Sequence, residues 1–420
     1  MKVLLISAAF PPMRCGGADY TLRLCAELAA SGLTVSALGP LRCADMQPHN
    51  FELCAAIETW NWASLNRILD HVRRVKPQVV DIIFTGWVYG DHPMITFLPT
   101  FIKRIDRTIR VVTHIESLGG VKRSQSPFLT AACRAICSFV VGRAGLGYEY
   151  GSLLRDSDGV IFLGERDRQM LVMAELAILE KSMVIAPPPI MPVAPPFSGV
   201  ERQQAREVFA IGSDCFLIAF YGYLYPGKGV EHLFDALKQL IDSGKNVKLL
   251  IVGDAPESYV LRRAGRPDYL VELKKMCTSL GLDDYVVWTS YAPFGSASPS
   301  EHLRLADCCV LPFKDGVNQH NSSFWFTAAH ELPIVTTRGE ATESLFEDGK
   351  NVILSSSADA MSIAACVSRL MDDPKLRNNL GAQIGNVARR QISWSKCIRD
   401  TIAVYKGEPV PLDFAPMTND

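Results

Sequence analysis

This sequence has no long apolar run and no excess of charge of either sign. The longest apolar stretch, residues 128–142, contains Arg134 and is shorter than the ~20 residues that a membrane-spanning helix needs. With a formal net charge of −1 at pH 7, the chain has no general attraction to nucleic acid, so no nucleic-acid partner is expected. Any site for an anion must therefore be local.

Paired cysteine motifs and a secretion signal are also missing. The twelve cysteines are scattered without C-x-x-C spacing, which favours free, buried thiols in a reducing compartment over a disulfide framework. This expectation includes Cys133, Cys137, Cys308 and Cys309. The apolar start of the chain stops at Pro11 and Pro12 with no cleavage-type site after it, so it predicts a first β-strand and a cytoplasmic protein.

The sequence does contain an alternation of strand and helix patterns, repeated in two halves. Short β-branched runs alternate with amphipathic helices, one of which carries Leu24, Cys25 and Leu28 on one face. Six prolines between positions 187 and 196 separate the halves. The predicted fold class is α/β, with two Rossmann-like doubly wound parallel-sheet domains facing a cleft. The predicted boundaries are 1–186, a linker at 187–198, 199–390, and a terminal helix and tail at 391–420.

Two loops of the first domain carry candidate site residues, because ligands of parallel sheets collect at the carboxyl ends of strands. Gly16 and Gly17 follow the first strand and would let the backbone approach a ligand ahead of a helix N-terminus. A plain turn is the alternative. His114 and Glu116 end a later strand, at the expected mouth of the sheet, where a structural histidine is the alternative.

One loop of the second domain suits a phosphate group. Gly222 closes a strand, and Lys228 stands just before a predicted helix, which places a cation beside a helix N-terminus. The loop is not a P-loop, because Tyr223 and Gly229 stand where that motif needs glycine and Ser or Thr. A solvated lysine in a turn is the alternative.

The stretch KDGVNQHNSSFWFTAAHELPIVTT, residues 314–337, begins polar and continues as an apolar helix. Asp315 and Asn318 lie on its polar loop. Ser322 and Ser323 stand where the helix begins, either to cap it or to present its free N–H groups to an anion.

A D-x-D pattern at Asp156 and Asp158 is the one sequence feature that suggests a metal. It precedes a predicted strand and so lies at the amino end of the sheet, where ligands do not collect. No metal site is therefore expected.

Taken in order, these motifs resemble the retaining glycosyltransferases of the GT-B fold, of the family-4 type. The ordered set covers nearly the whole chain and consists of the glycine pair, the first-domain TH, G-x-L-x-x-x-K-G, IVGDAPE, ADCCVLPF and LPIVTT. The resemblance implies a nucleotide-diphospho-sugar donor of the UDP or GDP type and a sugar, lipid-linked or small-molecule acceptor. It also implies no cofactor and no metal, and a terminal helix at 391–420 that crosses back to the first domain.

The resemblance assigns roles position by position. It implies that Gly16 approaches the donor diphosphate, that His114 contacts the transferred sugar and that Lys228 binds the diphosphate. Glu116 is expected to orient His114, on sequence proximity alone. The expected catalytic residues are His114, Lys228 and Asn318. The expected donor-binding residues are Gly16, Gly17, Glu116, Gly222, Tyr223, Asp315, Asn321, Ser322 and Ser323.

The chain departs from the family pattern at four positions. Tyr223 replaces an arginine, Asn318 and Phe326 fall on the two glutamates of an E-x7-E motif, and Glu331 replaces a glycine. The loop DGVNQHNSS resembles instead the D-G-V-S loop of a family subgroup that lacks the second glutamate. Two alternatives stay open: a sugar-nucleotide 2-epimerase of the same fold, and a catalytically silent relative that binds a sugar nucleotide.

The acceptor side offers only one sequence feature. Lys122 and Arg123 precede the apolar stretch 128–142, a combination that would suit a lipid-linked acceptor or peripheral contact with a membrane surface. The alternative, a core helix after a solvated basic turn, is the commoner arrangement.

Overall fold

The computed structural model describes residues 1–118, 127–142 and 149–409, which fold into two compact units. The first unit comprises residues 1–13 and 17–186 with the chain from Ser395 onward, and the second comprises residues 14–16 and 187–394. Within the described residues each unit is built on one parallel sheet with helices. The predicted α/β class with two parallel-sheet domains is confirmed.

The first unit contains a seven-stranded parallel sheet. Its strands are β1 (Lys2–Ile6), β2 (Thr34–Pro40), β3 (Glu52–Ile57), β4 (Val79–Phe84), β5 (Arg110–Ile115), β6 (Gly159–Phe162) and β7 (Ser182–Val184). Their spatial order is β3-β2-β1-β4-β5-β6-β7, so the strand order reverses between β1 and β4. Every residue of β4 is buried, as expected for a parallel strand covered on both faces.

Six described α-helices lie between β1 and β7 along the chain. They are α1 (Gly16–Ala30), α2 (Leu65–Val75), α3 (Met94–Ile105), α4 (Pro127–Val141), α5 (Leu153–Asp156) and α6 (Glu165–Ala174). α1 confirms the predicted face, because Leu24, Cys25 and Leu28 are all buried. Gly32 follows this helix with a φ of 90°, a left-handed conformation that favours glycine at a helix end.

Helix α4 corrects two expectations. Phe128 is 80% exposed and Phe139 is 88% exposed, so this apolar helix is not a core helix. Cys133 on the same helix is exposed rather than buried, whereas the expectation of buried thiols is confirmed for Cys308 and Cys309. Lys122, Arg123 and the side chain of Cys137 lie outside the described residues. None of the described helices combines the length and the apolarity needed to cross a membrane.

The second unit contains a six-stranded parallel sheet. Its strands are β8 (Phe216–Tyr221), β9 (Val247–Val252), β10 (Val286–Trp288), β11 (Cys308–Leu311), β12 (Ile334–Thr337) and β13 (Ile353–Ser355). Their spatial order is β10-β9-β8-β11-β12-β13, so the strand order reverses between β8 and β11. Its helices are α7 (Gly199–Glu207), α8 (Val230–Asp242), α9 (Ser258–Arg263), α10 (Tyr269–Ser279), α11 (Ser298–Leu305), α12 (Ser322–Ala328), α13 (Ala360–Asp372) and α14 (Pro374–Gln391).

The proline-rich segment 187–198 is described throughout and forms neither helix nor strand. It is held on α11, because the backbone N–H of Ala194 donates to Ser300 Oγ at 2.6 Å and its carbonyl accepts from Arg304 Nη2 at 2.9 Å. Side chains of α11 thus satisfy backbone groups of a segment that forms neither helix nor strand.

The last described helix is α15 (Trp394–Lys406), which belongs to the first unit from Ser395 onward. Tyr405 donates its hydroxyl to Asp81 Oδ2 at 2.6 Å, and Arg110 Nε donates to the carbonyl of Val404 at 3.0 Å. These contacts join α15 to β4 and β5.

Candidate functional site

The sheet of the second unit gathers the predicted loops of that unit at one edge. β8 and β11 are neighbours, with Ile218 paired to Cys308, at the point where the strand order reverses. Gly222 directly follows β8, and residues 312–321 follow β11. Ligands of open α/β sheets bind outside the carboxyl ends of the strands at such a point. This edge is the candidate site of the second unit.

Lys228 lies at this edge and is only 8% exposed. Its Nζ donates a hydrogen bond to Ser323 Oγ at 3.1 Å and lies over the rings of Phe313, at 4.7 Å, and Tyr225, at 5.4 Å. No carboxylate among the described residues forms an ion pair with it. An ammonium has three N–H donors, and a buried cation without an anion is costly. The alternative of a solvated lysine is therefore wrong, and the geometry is that of a cation prepared for an anion.

Two glycines make this placement of Lys228 possible. Gly229 has a φ of 68°, and a Cβ on it would lie 2.1 Å from the carbonyl oxygen of Pro312, so a side chain is excluded here. Gly222 has a φ of 132°, and its missing Cβ points to within 4.0 Å of Lys228 Nζ. Helix α8 begins at Val230, and no side-chain cap is described for it. An anion at Lys228 would therefore also meet an open helix N-terminus.

The polar loop is held in shape by its own asparagines. Asn321 Oδ1 accepts a hydrogen bond from the N–H of Asn318 at 2.9 Å, and Asn318 Oδ1 accepts one from the N–H of His320 at 3.0 Å. Asp315 is exposed. A sugar contact of Asn318 stays a prediction, because the contact that the structure gives its Oδ1 is one that stabilises the loop.

Helix α12 begins at Ser322, as predicted, but extends over only seven residues. Ser323 accepts the hydrogen bond of Lys228 instead of capping the helix, so two of the predicted site residues of this unit contact each other. Tyr223 lies in the loop between Gly222 and Lys228 and is half-buried.

His320 adds hydrogen-bonding capacity to this site but no charge. Burial lowers the pKa of His320 to about 4, and the positive charge of Lys228 acts in the same direction. The imidazole is therefore neutral at neutral pH.

Two departures from the family pattern have structural explanations. Phe326 is buried and packs on Tyr221 with ring centroids 4.6 Å apart, so this position belongs to the core beneath the site. Glu331 has a φ of 58°, and its side chain pairs with Arg389. The left-handed backbone at Glu331 explains why the family pattern has glycine there.

In the first unit, His114 lies deeper than predicted. It pairs within the sheet with Ile83 and Ile161 and is 0% exposed. Its Nε2 is hydrogen-bonded to the Tyr20 hydroxyl at 3.1 Å, and its Nδ1 lies 3.8 Å from Asp81 Oδ2. The expectation that His114 stands at the mouth of the sheet is therefore wrong. Because it has no exposed surface, its contact with a sugar is not supported by this geometry.

Glu116 lies at the carboxyl edge of the sheet instead and is 7% exposed. Its Oε2 accepts a hydrogen bond from Thr85 Oγ1 at 3.1 Å, whereas its Oε1 has no hydrogen-bond partner among the described residues. Burial raises the pKa of Glu116 to about 7, although His114 and the hydrogen bond from Thr85 act in the opposite direction. Since the hydrogen bond goes to Thr85, the expectation that Glu116 orients His114 is not supported.

The glycine pair of the first loop has one explanation that the sequence did not suggest. A Cβ on Gly17 would lie 2.6 Å from Glu116 Oε2, so the glycine leaves room for a carboxyl group. Gly16 is the first residue of α1 and belongs with residues 14–16 to the second unit. Its predicted contact with a diphosphate stays a prediction.

No group of three or more His, Cys, Asp or Glu side chains is arranged to hold a metal ion in the part of the chain that the structure describes. The two aspartates of the D-x-D pattern are engaged by the protein itself. Asp158 Oδ2 pairs with Lys103 at 2.5 Å and accepts a hydrogen bond from the N–H of Val111 at 2.8 Å. Asp156 accepts a hydrogen bond from Thr100.

The segment that contains the second-unit site matches a known family. Residues 215–373, from β8 to α13, match the family model described as Glycosyl transferases group 1. This match covers less than half of the chain, so it shows that the segment from β8 to α13 is similar to the group 1 glycosyltransferases.

Curated relatives of this family match about half of the chain. The D-inositol 3-phosphate glycosyltransferase of Thermomonospora curvata is 27% identical over 212 residues, which are 49% of this chain and 46% of the relative. The GDP-mannose-dependent alpha-(1-6)-phosphatidylinositol monomannoside mannosyltransferase of Mycolicibacterium smegmatis is 26% identical over 185 residues, 43% of this chain and 44% of the relative. The chain thus spans about half the length of the curated relatives it matches.

Solved structures match almost the whole chain. The structure of Anabaena HepE in complex with UDP and glucose has a TM-score of 0.70 and 14% sequence identity, and the match covers 97% of this chain and 99% of that one. At this identity the likeness shows the fold, which is that of the GT-B glycosyltransferases.

Sequence reasoning missed several residues that shape these sites. Thr85 and Tyr20 hold Glu116 and His114, and Phe313 and Tyr225 enclose Lys228. No motif marks these positions. The signal that was available is placement, since Thr85 and Phe313 come just after strands that lie next to the reversal points.

Proposed function

We propose that this chain transfers a sugar from a nucleotide-diphospho-sugar of the UDP or GDP type to a hydroxyl group of an acceptor, with retention of configuration. The observation that carries this proposal is Lys228, a buried ammonium that has Ser323 as its hydrogen-bond acceptor and no carboxylate among the described residues. It stands beside the open N-terminus of α8. A diphosphate would supply the missing negative charge. UDP in HepE and GDP-mannose in the mycobacterial relative support the two donor types.

The role proposed for Lys228 is to stabilise the leaving diphosphate. The acceptor oxygen forms a bond to the anomeric carbon while the bond from that carbon to the diphosphate breaks. The electron pair leaves with the diphosphate, and the hydroxyl proton passes to a diphosphate oxygen on the same face. A preorganised cation at this position is worth about 10²–10³ in rate. The proposed reaction uses no metal and no cofactor.

We propose further that residues 315–323 act as a D-G-V-S-type loop toward the donor sugar. Asn318 and Asn321 fix the loop, and the neutral His320 supplies hydrogen-bonding capacity without adding charge next to Lys228. A loop of this kind would distinguish sugars by their hydroxyl pattern, because the family's charged glutamate is replaced by amides.

Incubation with UDP-, GDP- and ADP-sugars tests the proposal. Release of a nucleoside diphosphate that depends on an added acceptor, with an anomeric coupling constant equal to that of the donor, is the expected result. Binding without release would support the silent relative, and conversion to the 2-epimer would support the epimerase. Absence of binding for every donor would contradict the proposal.

On the acceptor side, we propose that α4 meets a lipid surface. Phe128 and Phe139 are almost fully exposed on this apolar helix, and the acceptor named for the mycobacterial relative is a phosphatidylinositol monomannoside. Co-sedimentation with phosphatidylglycerol vesicles should fall for Phe139→Ser. The matched control is Met361→Ser on α13, which removes another strongly exposed apolar side chain, from the other unit. Equal sedimentation of both variants and the parent would contradict this proposal.

A further inference from the structure

Glu116 has a polar atom that the protein leaves unused. Its carboxyl group is more than nine-tenths buried, one oxygen accepts a hydrogen bond from Thr85, and the other oxygen has no partner among the described residues. A buried acceptor without a donor destabilises the folded protein. Such a group calls for a specific explanation, and at the carboxyl edge of a parallel sheet a ligand that supplies the missing donor is one.

The position of this carboxyl group is fixed from three elements. Thr85 directly follows β4 and Glu116 directly follows β5, two strands that are paired at Phe84 and Ile115. Gly17 in the first turn of α1 leaves the space that the carboxyl group fills. The group thus stands at the carboxyl edge, one strand away from the reversal between β1 and β4, where ligands of such sheets collect.

We propose that Oε1 of Glu116 accepts a hydrogen bond from a hydroxyl group of the substrate, on either the donor sugar or the acceptor. This inference rests on the proposed transfer reaction. A hydroxyl group fits because it supplies the donor that the buried oxygen lacks. A diphosphate does not fit at this position, because an anion next to a carboxylate is repelled. The carboxyl group beside Gly17 therefore disfavours a phosphate and favours a hydroxyl group at this edge of the first sheet.

The charge of Glu116 makes this contact dependent on pH. The titratable groups that interact with it are His114 from β5, Tyr20 from α1 and Tyr89 from the turn after β4. Asp81 from β4 lies behind them, next to His114. Because burial raises the pKa of Glu116 to about 7, the carboxylate form increases between pH 6 and pH 8. A carboxylate accepts a stronger hydrogen bond than a carboxylic acid. Affinity for the hydroxyl-bearing substrate should therefore increase as the pH rises through about 7.

Glu116→Gln tests the proposal, with Glu52→Gln, at the exposed first residue of the edge strand β3, as the matched control. Three measurements are made at pH 8: thermal unfolding without ligand, calorimetric affinity for UDP-glucose, GDP-mannose, UDP and GDP, and the KM for D-inositol 3-phosphate as an acceptor probe. We expect a higher Tm for Glu116→Gln, because the amide removes a buried charge. We also expect either about a 10-fold loss of affinity for the nucleotide sugars or about a 10-fold increase in the acceptor KM. The control should match the parent in all three.

The affinity and KM measurements identify which substrate carries the hydroxyl group. A loss for the nucleotide sugars but not for bare UDP or GDP assigns the contact to the donor sugar, and a raised KM at unchanged donor affinity assigns it to the acceptor. A lowered Tm, or a raised Tm with every affinity unchanged, would overturn the proposal. If the parent protein binds none of the probes, the proposed transfer reaction is wrong, and the Tm of Glu116→Gln then decides the role of Glu116. A lower Tm than that of the parent makes Glu116 a structural group. A higher Tm supports a hydrogen-bond acceptor left open for a ligand.

Discussion

Replacing Lys228 by methionine should separate donor binding from stability. Methionine keeps the apolar stem packed against Phe313 and Tyr225 and removes only the ammonium. In the unliganded protein the ammonium uses one of its three N–H donors, on Ser323, so its removal relieves a buried charge without breaking an ion pair. The Tm should therefore stay the same or increase.

The expected loss in donor affinity follows from the two N–H donors of Lys228 that remain for a diphosphate. Each charge-assisted hydrogen bond contributes about 1.5–3 kcal/mol, so two of them correspond to at least ~3 kcal/mol. Since ~1.4 kcal/mol is a factor of 10, the Kd for UDP or GDP should rise by at least about 10².

The assay is titration calorimetry with bare UDP and GDP, combined with thermal unfolding. Lys238→Met is the matched control, because Lys238 is a partly exposed lysine on α8 that pairs with Asp242. An unchanged Kd for Lys228→Met, whatever the change in Tm, would refute the role assigned to this ammonium.

Four further results are expected. Gly229→Ala should lower the free energy of unfolding by about 2–4 kcal/mol in chemical denaturation, because its Cβ would meet a carbonyl oxygen at 2.1 Å; Gly244→Ala, also at positive φ but in open space, should lower it by about 1 kcal/mol. His114→Ala should lower the free energy of unfolding by about 2–4 kcal/mol and leave the turnover of the folded enzyme near normal. A more than ~10-fold loss of turnover at unchanged stability would instead support the predicted contact of His114 with a sugar. Transfer should continue in excess EDTA, and Asp158→Asn should lower Tm but not turnover; a loss that Mg²⁺ restores would mean that a metal holds the diphosphate. Burial raises the pKa of Glu116 from 4.5 to about 7, so its ionisation costs folding free energy as the pH rises between these values. Glu116→Gln should therefore increase the free energy of unfolding by on the order of 3 kcal/mol at pH 8 and leave it unchanged at pH 4.

The fold was predictable where strands are central and continuous. β4 and β8 are apolar runs with both faces covered, and such runs are visible without knowledge of the partner strands. β3, β7 and β13 were not predicted. All three lie at sheet edges, and β7 and β13 have only three residues each, so neither length nor alternation marks them.

The second-unit site was predictable in part because its residues follow each other in loops after strands. Lys228 and Ser323 were both expected to bind the donor, and the structure shows that they contact each other. Their direct contact and the aromatic ring of Phe313 could not be predicted, because these depend on which strands are neighbours. Sequence separation carries no information about that order.

The difference between His114 and Glu116 has a geometric cause. The two residues are two positions apart, so they point to the same face of the sheet, and along a strand this spacing is about 6.6 Å. The N–H of Glu116 still donates to the carbonyl of Phe84 at 3.0 Å, so the hydrogen bonding of the sheet continues one residue past Ile115, the last residue of β5. A histidine motif at a strand end indicates one face of the sheet, but the depth of the residue on that face depends on how far the neighbouring strand β4 extends. Because β4 continues to Phe84, His114 is enclosed and Glu116 becomes the residue at the edge. The role that the family resemblance assigns to a histidine should accordingly be tested on the carboxyl group two residues later.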